Sequence, residues 1–281
     1  MRKLLRADFA RLKESKTFWI GILGMVLICA ALLFDHWGFV RKYGEEAGPF
    51  EEVLFNYAPM IGFFCTMIVG MVLGADYNDG TIRNKLIVGH ERLNIYLSHL
   101  IVSFAVGAAL QIAFLVPALA IGLLLSNGFK LPLNIIIEMI LFSFCTALAF
   151  ASISAAIGMC VQNRTAAVIA GVAVILIMFV VAAMIGAQLD EPEMTYAGSF
   201  VITSEDGIIQ EPELVPNPRY LTGVKRTVYQ WIDDILPMGQ SIQIADGSPG
   251  DFMWRWPFTA AGVILLSSSI GYAIFKRKDI K

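Results

Sequence analysis

The chain has 281 residues, of which 57% are hydrophobic and only 16% are charged, with a formal net charge of −2. Ordinary soluble domains carry roughly a quarter charged residues, so this composition excludes an ordinary water-soluble protein and indicates an integral membrane protein. The four cysteines lie in apolar runs without a CxxC spacing, and we expect them to be buried thiols.

The first element is a basic segment, residues 1–17, that carries an apolar stripe. Leu5, Phe9 and Leu12 recur at helical spacing, while lysines and arginines occupy the other faces. This pattern predicts a helix in the inner membrane interface, with its apolar side toward lipid and its basic side toward anionic headgroups. A solvated basic tail is the alternative. The basic lead is long for a signal peptide and no convincing cleavage site follows, so we expect the segment to be retained.

Six apolar runs are long enough to cross a bilayer, which takes about 20 residues in a helix. The predicted spans are residues 18–34, 55–74, 96–125, 132–160, 166–187 and 256–275. The runs are continuously apolar rather than alternating, which favours helices over a β-barrel. Pro117 is expected to kink the third span, because proline lacks a backbone N–H.

The distribution of lysine and arginine predicts the orientation. Placing both termini in the cytoplasm puts most of the 21 basic residues on the cytoplasmic side, within short connecting segments. The positive-inside rule favours this arrangement, and an even number of spans agrees with it. We therefore expect a multi-pass protein of the cell membrane with cytoplasmic N- and C-termini.

The longest connection, residues 188–255, is acidic and rich in proline, and this orientation places it outside the cell. The stretch around Asp206-Gly207 predicts a short β-hairpin. The run VKRTVYQWIDDILP predicts an amphipathic helix, whose apolar face carries Val228, Trp231, Ile232 and Ile235. The predicted fold is an all-α integral membrane protein with a small extracellular α+β insertion. Its parts are an interfacial helix (1–17), spans one to five with a cytoplasmic helix (18–187), the insertion (188–255) and the last span with a basic tail (256–281).

A polar interruption, LGADYNDGTIRNKLIVGHERLNIYLSHLI, separates the second and third spans. Asp79 is a suitable N-cap and Gly89 a suitable terminator, so GTIRNKLIV is predicted to form a helix. A helix of about nine residues is too short to be stable alone in water, so it must be held by a surface. Ile82 and Leu86 share one face. That face either lies on lipid or docks into a groove on a cytosolic protein.

The order of residues in this region is informative. Asp76 is followed by Gly80-Thr81, then Leu86, then the turn Gly89-His90-Glu91-Arg92, and the chain ends on the basic tail GYAIFKRKDIK. This order, together with that of the spans, resembles the permease subunits of type-2 ATP-binding cassette (ABC) exporters over essentially the whole chain. Two departures are Asp76, where the family often has glutamate, and Ser98-His99, near a position where lysine is common.

The resemblance implies a transport subunit without its own motor, in which residues 76–92 carry a coupling helix seated in a cytosolic ABC ATPase. No G-x-x-x-x-G-K-[ST] phosphate loop occurs in the sequence, so we expect no enzymatic activity here and expect ATP and Mg on the partner ATPase. The implied complex contains two ATPase copies and a second permease copy, as a homodimer in membrane lipid. The implied coupling residues are Asp76, Asp79, Gly80, Thr81, Ile82, Arg83, Lys85, Leu86, Gly89 and Arg92.

In the resembling family the second and fifth spans flank the transport route. Soft apolar side chains suit varied amphipathic cargo, and the candidates on these spans are Phe63, Phe64, Met67, Met178 and Phe179. Glu138 in the fourth span is a further candidate, because an intramembrane carboxylate is costly and often functional. The alternatives for Glu138 are a place near the outer helix end or hydrogen bonding inside the bundle. Gly70 and Gly74 form a GxxxG pattern that predicts close helix approach.

The expected function is export of amphipathic or antimicrobial peptides, or of lipid-like compounds, by alternating access. A non-transporting membrane scaffold or sensor, which binds a ligand through the extracellular segment, is the alternative. The three histidines are scattered without metal-ligand spacing, so no metal site is expected. The basic residues are divided among short segments, which argues against nucleic-acid binding.

Overall fold

The computed structural model describes residues 1–44, 49–126, 128–197, 213–247 and 253–279. Within these residues, six helical segments are long and apolar enough to cross a membrane, as the hydropathy pattern predicts. They are Lys16–Tyr43, Phe50–Asn78, Arg92–Leu125, Leu133–Cys160, Arg164–Leu189 and Met253–Arg277.

Twelve α-helices, a π-helical turn, a short 3-10 turn and two strands make up the regular structure of the described residues. The helices are α1 (Arg2–Glu14), α2 (Lys16–Tyr43), α3 (Phe50–Phe55), α4 (Ala58–Asn78), α5 (Thr81–Ile87), α6 (Arg92–Pro117), α7 (Leu123–Leu125), α8 (Leu133–Cys160), α9 (Arg164–Leu189), α10 (Gly223–Ile235), α11 (Pro237–Ala245) and α12 (Trp256–Arg277). The strands β1 (Met194–Ala197) and β2 (Glu213–Pro216) pair antiparallel, with Met194 opposite Pro216.

The helix of the first span is longer than the predicted residues 18–34, because α2 continues to Tyr43, and α3 begins at Phe50, before the predicted second span. Hydropathy marks where a helix leaves the apolar core, whereas capping residues mark where the helix ends. Gly44 supplies that end, with a φ of 60° at the C-terminal cap of α2.

The third span changes its hydrogen-bond pattern at Pro117, the last residue of α6. A π-helical turn, Ala118–Gly122, follows directly and leads into α7. Proline cannot donate a backbone hydrogen bond, and this missing bond accounts for the irregular turn beside Pro117. A kink was predicted at Pro117, and the structure has a π-helical turn directly after it.

Helix α4 lies at the centre of the bundle and packs against α8 and α9. Glycines make these approaches possible: a Cβ atom at Gly74 would stand 2.5 Å from the Cα of Arg164, and one at Gly70 would stand 3.3 Å from the Cα of Val168. The close approach predicted from the GxxxG pattern is thus confirmed between the second and fifth spans. All four cysteines are free thiols, and Cys29 and Cys65 are buried.

Successive spans run in opposite directions, so the connections gather at two ends of the bundle. At the α5 end lie α1, α5 and the residues after α12, where Gln162 donates a hydrogen bond to the carbonyl of Asp279. At the α10 end lie α3, α10 and α11, where Glu51 accepts a hydrogen bond from the backbone of Leu131. Helix α10 confirms the helix predicted in the 188–255 segment, while the hairpin predicted around Asp206-Gly207 lies outside the described residues.

Candidate functional site

Helix α5 connects the second and third spans through two glycine turns. Gly80 occupies its N-cap position with a φ of 65°, and Gly89 follows its end with a φ of 91°. His90 N–H bonds to the Lys85 carbonyl and Gly89 N–H to the Leu86 carbonyl, at 3.1 and 3.0 Å, which is a Schellman motif. Gly89 therefore ends the helix as predicted.

Asp79 does not have the role predicted for it. It ends α4, where its backbone N–H donates to the carbonyl of Ala75 and the N–H of Gly80 donates to the carbonyl of Tyr77. No side chain of the described residues caps α5. The prediction was wrong because the chain reverses through a left-handed residue at this point, and glycine adopts that conformation at little steric cost.

The apolar side of α5 faces its own protein rather than a partner. Ile82 is fully buried, and Leu86 is partly buried against the same core. The prediction that these two residues share a face is confirmed, but their availability as anchors for another protein is not. A helix this short needs intrachain contacts to persist, and Ile82 supplies the main one. The outward apolar residues are Ile87 and Val88, which are 74% and 77% exposed.

The N-terminal helix packs along α6 through a different stripe from the one predicted. Leu4, Asp8 and Leu12, four residues apart, are buried at 3–4% exposure. Leu5 and Phe9 are only partly buried. The predicted stripe was shifted because α1 uses one side to hold the bundle, which leaves Leu5 and Phe9 toward its flank.

A charge cluster joins α1, α4, α5 and α6. Its members are Asp8, Arg11, Asp76, Lys85 and His99. Lys85 Nζ lies 2.7 Å from Asp8 Oδ1 and 3.6 Å from Asp76 Oδ2. Arg11 Nη1 donates to Asp76 Oδ1 at 2.8 Å. Two carboxylates and two cations thus neutralise each other in a region where an isolated charge would be costly.

Hydrogen bonds complete this cluster. Ser98 donates to Asp8 Oδ2 at 2.6 Å, and His99 Nε2 lies 3.3 Å from Lys85 Nζ. Burial alone would raise the pKa of Asp8, but His99, the Lys85 ammonium and the Ser98 hydroxyl outweigh it and lower that pKa. Asp8 therefore remains an anion that fixes Lys85 in place.

Asp8, Asp76 and His99 offer three ligand atoms within 4.8 Å of one another, a spacing that a metal ion would accept. The Lys85 ammonium, however, approaches all three side chains at 2.7 to 3.6 Å. A bound cation would have to displace it. The geometry favours an internal ion-pair cluster over a metal centre.

Asp8, Ser98 and His99 were not among the site residues predicted from the sequence. Asp8 could have been found, because a carboxylate between Leu4 and Leu12 on one helical face indicates a buried partner. Lys85, which the family resemblance implies as a coupling residue, has a side chain that is only 9% exposed. The outward residues of α5 are Arg83, Asn84 and Ile87, followed by Val88 at its C-cap.

Arg92 binds the end of the sixth span. Its Nη1 donates to the carbonyl oxygens of Phe275, Lys276 and Lys278 at 2.9, 3.0 and 2.7 Å. These are terminal carbonyls of α12, which lack partners within the helix and carry the negative end of its dipole. Arg92 therefore connects the start of the third span to the end of the sixth.

A groove of about 280 Å³ separates α1 from α5. It exposes a basic surface at the α5 end of the bundle. Its lining residues are Lys3, Leu4, Ala7, Arg11, Thr81, Asn84, Lys85, Val88 and His90.

Only some of the residues that were predicted to line the transport route on the second and fifth spans lie close together. The rings of Phe63 and Phe179 meet edge to face with centroids 6.4 Å apart, and Met67, one turn from Phe63, is 46% exposed. Met178 is partly buried against the core. Phe64 instead faces the first span, 3.1 Å from the position of a Cβ at Gly24.

Glu138 lies apart from the interior of the bundle. It is exposed, in the second turn of α8. Of the two alternatives to a functional role, the position near a helix end fits and hydrogen bonding inside the bundle does not.

A larger cavity, of about 540 Å³, opens at the α10 end. Its polar wall carries Asp190, Arg226, Gln230, Asp233, Asp234, Gln243 and Asp246. Gln243 donates to Asp233 at 2.7 Å and Trp256 donates to Asp234 at 3.1 Å. Burial raises the pKa of Asp233 to about 6.

A family model described as "ABC-2 family transporter protein" matches residues 4–187, which include most of α1, the first four spans, α5 and nearly all of the fifth span. No curated protein matches the chain. The matched region contains the charge cluster and ends before the 188–255 segment.

Proposed function

This chain belongs to the ABC-2 family of transporter proteins, and we propose that it is the permease subunit of an ATP-driven exporter with α5 as its coupling helix. ATP and Mg bind a separate cytosolic ABC ATPase. The ATPase is a separate polypeptide because the sequence has no phosphate-binding loop. Both termini lie in the cytoplasm, in keeping with the positive-inside rule.

The observation that carries this proposal is the rigid attachment of α5. Shifting a two-state equilibrium from about 1:99 to about 99:1 requires about 5.5 kcal/mol of differential binding. If α5 moved independently of the spans, the binding energy of the ATPase would not be transmitted to them. Ile82 is fully buried, and Lys85 is paired to α1 and α4, so α5 moves with the second and third spans.

The ATPase contacts the exposed side of α5. Ile87 and Val88 are the apolar anchors, at 74% and 77% exposure, and Arg83 lies on the polar surround. Helix-in-groove binding uses this combination of apolar anchors with polar neighbours. Thr81 and Asn84, which line the groove toward α1, extend the same surface.

Two permease copies and two ATPase copies form the transporter. The second copy packs along the second and fifth spans, where Met67 and Phe179 are 46% and 38% exposed. Apolar and amphipathic cargo, including antimicrobial peptides and lipid-like compounds, passes between the copies by alternating access. The flexible methionine and the aromatic rings accommodate varied shapes.

A second candidate function is supported by the cavity at the α10 end. Its volume of about 540 Å³ and its four aspartates suit a ligand-binding membrane sensor that does not transport. Such a protein would function without an ATPase, so recovery of an ATPase discriminates between the candidates.

The test is purification of the tagged chain from its native cells in mild detergent. We expect an ABC ATPase, identified by mass spectrometry and by ATP hydrolysis, to copurify with the chain and to be lost with Val88→Asp. The matched control is Ala10→Asp, which adds the same charge to an exposed position of α1 at the same end. Equal recovery of the ATPase with Val88→Asp and with the unmodified protein would overturn the proposed contact. If no ATPase copurifies with the unmodified protein, the sensor function is favoured.

A further inference from the structure

The cavity of about 540 Å³ at the α10 end combines an apolar and an acidic lining. Small residues of the fifth span form much of its apolar part, among them Ala182, Ala183 and Gly186. Four carboxylates and one guanidinium, that of Arg226, supply charge in the same lining. Small-molecule sites have volumes of roughly 300–1,000 Å³ and combine apolar walls with a few polar groups. The cavity therefore has the size and the lining of a ligand site.

Asp233 borders this cavity as a buried carboxylate without a cation. It is 4% exposed and accepts a hydrogen bond from Gln243 at 2.7 Å. No lysine or arginine of the described chain forms an ion pair with it, whereas Asp234 lies 3.6 Å from the Arg255 guanidinium. Burial raises the pKa of Asp233 to about 6, and the neighbouring Asp234 and Asp190 carboxylates act in the same direction. At pH 7 the side chain is mainly an anion that lacks a counter-charge.

Arg226 supplies the lining with a second polar group that has no partner. Its guanidinium lies over the Tyr220 ring, 5.1 Å from the centroid. Its Nη1 is buried and donates no hydrogen bond to the described part of the chain. A buried donor without an acceptor is costly. An oxygen atom of a bound molecule would satisfy this donor.

The arrangement of the carboxylates does not suit a metal ion. Calcium takes six to eight oxygen ligands at one point. Within the described ranges, the carboxylate and imidazole atoms that converge to within 4.8 Å belong to Asp8, Asp76 and His99, far from this cavity in the α5 region. The four aspartates of the cavity do not converge in this way, which favours a larger cation.

We propose that the cavity binds a small organic cation, with an ammonium group against Asp233, an acceptor oxygen against Arg226 and an apolar body against the fifth span. Burial of the apolar body provides affinity, and the uncompensated carboxylate selects for positive charge. The cavity is separate from α5. The proposal therefore holds for a transporter as well as for a sensor and does not depend on the ATPase contact.

The test uses the full-length protein in lipid nanodiscs at pH 7.5, titrated by calorimetry with three probes. Phenylalaninol carries an ammonium group, a hydroxyl group and an aromatic ring. 3-Phenylpropanol lacks only the ammonium group, and ethanolamine lacks the ring. Titration of empty nanodiscs subtracts partitioning into lipid. We expect saturable binding of phenylalaninol, and affinities about tenfold or more weaker for the other two probes.

Two variants locate the binding in the cavity. Asp233→Asn should weaken phenylalaninol about tenfold or more, because it removes the carboxylate and keeps the shape. Asp35→Asn, at an exposed position of α2, is the matched control. Gly186→Leu should abolish binding by filling the cavity, since a Cβ at Gly186 meets no atom within 4 Å. Gly262→Leu, at an exposed position of α12 where a Cβ also meets no atom within 4 Å, should bind normally.

Several outcomes would overturn the proposal. The absence of saturable phenylalaninol binding, or equal affinity for phenylalaninol and 3-phenylpropanol, would show that the cavity does not select an organic cation. Unchanged affinity in Asp233→Asn or in Gly186→Leu would place the binding elsewhere. Displacement of phenylalaninol by micromolar calcium chloride would identify a metal site instead.

Discussion

The Lys85 ammonium lies 2.7 Å from Asp8 Oδ1, so an ion pair joins α5 to the N-terminal helix across 77 positions of sequence. Both side chains are nearly buried, at 9% and 3% exposure. Burial makes the pair a positional constraint, because breaking it leaves a charge without compensation. Helix α5 and the N-terminal helix are therefore expected to move as one body.

Removal of Lys85 tests this constraint. We expect Lys85→Met to destabilise the protein by about 3–5 kcal/mol, because Asp8 and Asp76 would then face each other with only Arg11 as a strong cation. Asp8→Asn combined with Lys85→Met should cost less than the sum of the two single changes, since neither residue then leaves an unpaired charge. The measurement is a double-mutant cycle on unfolding in detergent. Additive effects would contradict a direct interaction.

Arg92 is expected to hold the end of the sixth span. Arg92→Gln removes a charged donor from three carbonyl oxygens of residues 275–278, and a hydrogen bond involving a charged group contributes about 1.5–3 kcal/mol. Hydrogen exchange of residues 276–279 should become faster. Arg83→Gln, which changes an exposed residue on α5, should leave this exchange unchanged. Similar exchange in both variants would show that Arg92 does not fix this end.

Close packing between the second and fifth spans depends on Gly74. A Cβ there would stand 2.5 Å from the Arg164 Cα, a distance that requires the two helices to separate. We expect Gly74→Ala to lower the thermal midpoint in detergent. Gly38→Ala in the first span meets no atom within 4 Å and should be neutral or slightly stabilising, because alanine favours helix. Equal thermal midpoints for Gly74→Ala and Gly38→Ala would contradict this prediction, because they would show that the second and fifth spans can separate without loss of stability.

Asp233 should make stability depend on pH. Its pKa rises from 3.8 to about 6 because burial disfavours the carboxylate. A raised carboxyl pKa contributes stability that is fully present below pH about 4 and is lost as the pH rises through about 6. Asp233→Asn should therefore raise the thermal midpoint at pH 7 relative to the unmodified protein, and have little effect at pH 4. Asp35→Asn, at an exposed position, serves as the control, and a pH-independent effect of Asp233→Asn would contradict this cause.

Much of the architecture is predictable because its signals are local. Continuous apolar runs predict the six spans, and Gly89 predicts the end of α5 through a conformation that glycine favours. Periodicity also placed Ile82 and Leu86 on one face. Periodicity alone does not say which neighbour that face meets, so Ile82 was assigned to a partner although it packs inside the chain.

The charge cluster was not predictable for a different reason. Asp8, Asp76 and His99 are brought together by three separate helices, and the spacing within each helix carries no information on the others. The shift from the predicted Leu5 stripe to the observed Leu4–Leu12 stripe has the same origin, because tertiary packing selects one of two neighbouring apolar stripes on α1. Asp79 was assigned as a cap by residue type, but the backbone reversal at Gly80 determined the local structure.

The most direct measurement is site-specific photo-crosslinking from α5 in native membranes. A benzophenone amino acid placed at Val88, which is 77% exposed, should crosslink to an ABC ATPase, whereas the same group at Ile82, which is fully buried, should crosslink within the chain. Crosslinks from position 88 to lipid alone, or labelling of Val88→Cys by an impermeant reagent added outside intact cells, would contradict a cytoplasmic coupling helix.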